Sequence, residues 1–136
     1  MKKITNIIIL FLVVFLSNTT FLSAQNTKAD IEIHNQKGNE NETSKDVGRT
    51  LTPTIEAQIN TLSRLLSFTF NEPVGTVSIT VTNSLGETVA SSQCNTTIQP
   101  FVQLFVPVAD DTYYIYIGGN KISATGIYTI INGLII

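Results

Sequence analysis

Cysteine occurs once in the 136 residues, as Cys94, so no disulfide can form within the chain. A packed core has to hold the fold without covalent staples, and the thiol itself is expected to be structural and partly buried. Histidine also occurs once, as His34, in a polar stretch near the N-terminus. A general base must be held within hydrogen-bonding reach of its partner, and that stretch offers no rigid element to hold one. Gly-x-Ser-x-Gly elbows, Cys/His ligand clusters and phosphate-binding glycine loops are all missing. A carboxylate pair such as Glu72 with Asp110 has the chemistry for glycoside cleavage, but nothing in the sequence brings the two together. No catalytic activity, cofactor or metal is therefore expected. Asp110 and Asp111 invite a calcium reading, because hard cations take paired carboxylates. No Asp-x-Asp-x-Asp-Gly loop surrounds them, and adjacent aspartates are ordinary turn formers.

Charge is sparse, with Asp, Glu, Lys and Arg together at 13% of residues and no basic cluster anywhere. Nucleic acid and anionic membrane surfaces are poor partners for such a chain. Long apolar runs are scarce too. The one that stands out, Ile7 to Leu16, follows Lys2 and Lys3 and precedes a small-residue exit at Leu22-Ser23-Ala24. That is the layout of a secretory signal peptide. The run is short of the about 20 residues a spanning helix needs, so cleavage near Ala24 and no stable membrane insertion afterwards are expected. Gln25 stands where a lipoprotein would need cysteine. The expected destination is the periplasm, the cell surface or the medium.

Cleavage leaves 112 residues, six basic groups and ten acidic ones, a formal charge of −4 and the size of one domain. Residues 25–49 are rich in Asn, Gln, Glu, Lys, Asp, Ser and Thr, and they bury too little to offset the entropy of ordering. A flexible leader is expected there, with a short edge strand at Ile31-Glu32-Ile33 as its exception. From Thr50 onward the chain reads as a β domain. Ile55, Ala57 and Ile59 alternate with polar residues, as do Leu66, Phe68 and Phe70, and Val77, Ile79 and Val81. Such period-two patterns mark strands with one face in a core. Thr88 to Gln93 reads as a weaker edge strand. Val102, Leu104 and Val106 form another inner face, though Phe101 and Phe105 make the opposite face apolar as well. Tyr113, Ile115 and Ile117 face one way while Tyr114 and Tyr116 face the other, and a last strand carries Tyr128 and Ile130. Turn signals separate the runs at Asn71-Glu72-Pro73, Ser84-Leu85-Gly86, Asp110-Asp111, Gly118-Gly119-Asn120 and Thr125-Gly126. Strands about every ten residues with no helical pattern predict an antiparallel β-sandwich.

The series Arg49-Thr50-Leu51, Pro53 to Ala57, Leu66-Ser67-Phe68, Val77 to Val81, Asn83 to Val89, Thr112 to Ile117 and Gly126 to Ile130 resembles the domain-of-unknown-function 3244 family, small secreted proteins of gut-dwelling Gram-negative anaerobes. Ile31-Glu32-Ile33 with Gly38 is similar to that family's opening strand. The resemblance implies an immunoglobulin-like sandwich of about seven strands, exported, with no established activity to carry over. The last half is also similar to the sorting domains of gliding-type secretion cargo. No cargo domain is expected ahead of it, and it departs from them in having no lysine or arginine in the tail from Gly133 to Ile136.

In immunoglobulin-like sandwiches a tyrosine near the start of the penultimate strand folds its hydroxyl onto the preceding loop; Tyr113, just after Asp110-Asp111-Thr112, stands where that role falls. Tyr114 and Tyr116 lie two apart on a strand expected to be central, with Thr80 and Thr82 of the neighbouring strand on their face. Tyrosine beside hydroxyls suits stacking and hydrogen bonding to a glycan or a protein ligand, although both residue types are also simply strand-favouring. The apolar tail Leu134-Ile135-Ile136 is expected to extend the last strand or to serve a subunit interface. The functional expectation is a non-catalytic binding module. The alternative is a structural or assembly subunit, a homo-oligomer built by strand addition or through the tail.

Overall fold

The computed structural model describes residues 27–36 and 54–136; the expected signal peptide and the leader residues 37–49 lie outside the described residues. The described residues contain ten strands and no helix: β1 (Lys28–Ile31), β2 (Ile33–Asn35), β3 (Ile55–Asn60), β4 (Leu65–Phe70), β5 (Thr76–Thr82), β6 (Thr88–Asn95), β7 (Phe101–Phe105), β8 (Asp111–Gly119), β9 (Ser123–Ile131) and β10 (Leu134–Ile135). They form two antiparallel sheets. The first has the order β1-β3-β4-β7, and the second the order β10-β9-β8-β5-β6, with β2 also paired to β9.

The alternation of the sequence becomes the two inner faces. Ile59, Leu66 and Phe68 of the first sheet are fully buried against Ile79, Val81, Ile115 and Ile130 of the second, so each polar residue between them is turned outward by the pleat. Strands β3 to β9 are the seven that periodicity predicts. Three further strands raise the count to ten among the described residues, and each has a local reason.

At the C-terminus, Asn132 (φ 53°) and Gly133 (φ 75°) both adopt left-handed backbone, the requirement of a two-residue hairpin turn of type I′. The tail therefore doubles back on β9, pairing Leu134 with Ile131 and Ile135 with Ile130. This corrects the expectation that it extends the last strand. At the N-terminus, the strand expected at 31–33 is two strands flanking Glu32. β1 pairs with β3 in the first sheet, Ile31 opposite Ala57, and β2 pairs with β9 in the second, Ile33 opposite Gly126. One extended segment thus runs along the open side of the sandwich and joins both sheets. Its inward residues are Ala29, Ile31 and Ile33, all packed in or against the core, with Ile31 only 7% exposed.

Gly126 is where this closure is built. A Cβ there would lie 2.6 Å from Ile33 Cδ1 and 3.3 Å from the Glu32 carbonyl oxygen. The missing side chain is the space that β2 occupies.

Candidate functional site

Strand register decides which polar residues meet on the outer face of the second sheet. Thr80 is opposite Tyr116 and Thr82 opposite Tyr114, so the four residues singled out from sequence share one patch. Thr80 also faces Ser91 on β6. Tyr116 faces Thr125 on β9, and Thr125 faces His34 on β2. The result is a row of five, Ser91-Thr80-Tyr116-Thr125-His34, about 19 Å long at the usual strand spacing. A second row runs Thr82-Tyr114-Ile127. Neither row contains Asp, Glu, Lys or Arg.

Tyr116 is 48% exposed, Tyr114 38% and Ile127 55%. Together with His34 and Thr125 they line a depression of about 250 Å³. Pockets for whole small molecules run to roughly 300–1,000 Å³, so this one suits a single ring or side chain of a ligand lying across the face. The Glu32 carboxylate lies 3.8 Å from His34 Nε2. Beyond Tyr116 the outward position on β8 is Gly118, where an added Cβ would meet nothing within 4 Å, so the face steps down beside the tyrosine.

The opposite side of β8 is structural. Tyr113 is 2% exposed, its ring stacks on Tyr128 at 5.0 Å between centroids, and its hydroxyl donates a 3.0 Å hydrogen bond to the Ala109 carbonyl. That bond, four residues back along the chain, has the geometry of a tyrosine corner. Burial, with the Asp111 and Asp110 charges adding to it, pushes the Tyr113 hydroxyl pKa up.

Its stacking partner differs. The Tyr128 hydroxyl is buried with no hydrogen-bond partner among the described residues, and burial drives its pKa well above the ordinary tyrosine value. An unsatisfied buried polar group costs about 1–3 kcal/mol. Tyr128→Phe, which keeps the ring and the stack, is expected to raise stability by on the order of 1 kcal/mol, read as a higher urea midpoint at unchanged slope.

The aspartate pair is committed to its turn. Asp111 accepts from the Thr112 amide at 2.8 Å, and hydrogen bonds from the Ser84 side chain and then from Thr112 hold its carboxyl below the usual range. Asp110 Oδ1 accepts from the Gly133 amide at 3.4 Å, tying the β7–β8 loop to the C-terminal turn. Among the described residues no three His, Cys, Asp or Glu side chains gather as a metal site. Cys94 is free and buried on β6, its thiol pKa raised by burial.

Sequence reasoning missed His34, Thr125 and Ile127. The outward alternation of Thr125 and Ile127 with Ala124, Gly126 and Tyr128 was available to find the last two. His34 had no such signal, because only the docking of β2 onto β9 brings it to the face.

No family model matches the chain, and no curated protein does. A solved structure does: a DUF3244 family protein with an immunoglobulin-like β-sandwich fold from Bacteroides vulgatus. It is similar over 76% of this chain and 99% of that one, with a TM-score of 0.57 and 16% sequence identity. The family that the strand and turn motifs resemble is thus also the family of this structural neighbour, and the likeness establishes that the chain has the immunoglobulin-like β-sandwich fold.

Proposed function

We propose that the chain is an exported, non-catalytic binding module that takes a glycan or protein ligand on the outer face of the second sheet. The observation carrying this reading is the pair of cross-strand rows, in which two exposed tyrosines and Ile127 stand among Thr80, Thr82, Thr125 and Ser91. Exposed aromatic surface ringed by hydroxyls offers stacking and hydrogen bonds together. The lack of ionised Asp, Glu, Lys or Arg side chains along the rows favours an uncharged surface on the ligand. Rigidity supports it too, since β8 lies between two paired strands and a contact made from its side chains loses little entropy on binding.

The test is an array screen of glycans and peptides, followed by the double substitution Tyr114→Ala/Tyr116→Ala. Exposed positions usually change stability by no more than about 0.5 kcal/mol each, so the variant should melt close to the parent while losing its array signal. A variant that folds and still binds removes the tyrosine face from consideration.

A structural or assembly subunit is the second reading, and exposed apolar surface is what favours it. Phe105 is 76% exposed and Phe101 49% on β7, an edge strand of the first sheet, and Ile136 is 73% exposed in the tail. Apolar groups on an edge favour association.

A further inference from the structure

The segment 27–36 is a strand ligand by its chemistry, although it belongs to the chain. Its inward residues Ala29, Ile31 and Ile33 recur every second position, and its outward residues Lys28, Asp30, Glu32 and His34 are polar. Main-chain pairing with alternate side chains in pockets is how extended peptides are recognised at sheet edges. The receiving slot is shaped to match. It offers the edge of β3 from Ala57 to Asn60 and the edge of β9 from Ala124 to Gly126, with the Gly126 gap filled by Ile33. Emptied, it would leave two ladders unpaired and open the core at Ile31, a combination that invites pairing with another chain.

We propose that this slot between β3 and β9 is a strand-acceptor site, and that residues 27–36 of a second copy of the chain enter it in exchange for the chain's own. The inference rests on the assembly reading and names its contact. Residues 37–53 join the segment to the sandwich, and 17 residues reach up to about 58 Å when extended, enough for the donor strand to serve either its own slot or a neighbour's. Exchange replaces each pair with an identical one, Ile31 opposite Ala57 and Ile33 opposite Gly126 in both arrangements. Docking of a chain's own segment does not depend on protein concentration whereas exchange between copies does, so closed monomers dominate at micromolar protein and reciprocal two-fold dimers fill in as the concentration rises.

Asp30 and Gln58 supply the reporter. They are opposite each other across β1 and β3, exposed, and joined by a 3.0 Å hydrogen bond from Gln58 Nε2 to Asp30 Oδ1, and directly opposed strand residues lie within disulfide range. In a Cys94→Ser background, mature chains carrying Asp30→Cys are mixed with chains carrying Gln58→Cys, unfolded, and refolded together at roughly 10 µM and at roughly 1 mM. They are then oxidised and resolved without reductant. The expected result is a mixed dimer, one Asp30→Cys chain cross-linked to one Gln58→Cys chain, in excess over both like-with-like dimers and rising at least tenfold in yield between the two concentrations. Chains carrying both substitutions should close within themselves at the low concentration, which verifies the pair. Mixed dimers no more abundant than chance predicts at 1 mM would overturn the proposal. So would a dimer seen by sedimentation whose cross-links avoid this pair, and that outcome leaves assembly through the C-terminal tail standing.

Discussion

Truncation of Tyr113 to alanine is expected to destabilise the domain by about 3–5 kcal/mol, the range for a buried aromatic in a packed core. The ring is 2% exposed and stacked on Tyr128, so its removal leaves a void that two facing strands cannot easily close. For a domain whose total stability is on the order of 5–15 kcal/mol, that loss approaches unfolding at ambient temperature. Tyr113→Phe separates the ring from the hydroxyl. It keeps the packing and removes only the bond to the Ala109 carbonyl, and its expected cost is about 1 kcal/mol or somewhat more, since the carbonyl loses its partner. Chemical unfolding of the two variants beside the parent measures both quantities. Equal costs for Phe and Ala would mean that the corner hydrogen bond, and not the packed ring, dominates this position.

Replacing Ile31 by aspartate should act differently, by releasing one segment and leaving the sandwich folded. The side chain is buried between the sheets, and a carboxylate there without a partner costs several kcal/mol. The protein can escape that cost, because among the described residues β1 pairs with β3 alone and β2 with β9 alone, each at a sheet edge. Local opening then limits the loss to the free energy of docking the segment. Amide exchange reads the outcome directly: protection should fall along Ala57 to Asn60 and Ala124 to Gly126, while Phe68, Ile79 and Ile115 in the interior strands stay protected. Global loss of protection would show that the segment is integral to the cooperative core. The variant should also lose exchange between copies, since its donor strand no longer fits the slot.

Much of this architecture is legible in the residues alone. The alternation around Ile59, Phe68, Ile79, Ile115 and Ile130 sorts inner from outer residues because the pleat turns successive side chains to opposite faces, and water penalises the wrong choice at every apolar position. Tyr113, Tyr114 and Tyr116 were separated into one inward and two outward residues on that ground alone. The C-terminal hairpin was legible in principle and was missed: Asn132-Gly133 is a strong turn signal, yet the apolar residues after it read more easily as continued strand.

Other features had no local signature. The sequence by itself determined that the chain is all-β, which side of each strand is buried, where most turns fall, and that a single cysteine allows no disulfide within the chain. Tertiary structure alone decided that β3 to β9 divide into these two sheets, that Ser91, Thr80, Tyr116, Thr125 and His34 stand in one row, and that a polar-looking leader closes the open side of the sandwich through Ile31 and Ile33. The reason is the range of the forces involved. Burial acts on each residue through its own hydropathy and is written locally, whereas strand neighbours are chosen by hydrogen-bond ladders between segments tens of residues apart, and Ile33 gains its place only because Gly126, far along the chain, leaves the space for it.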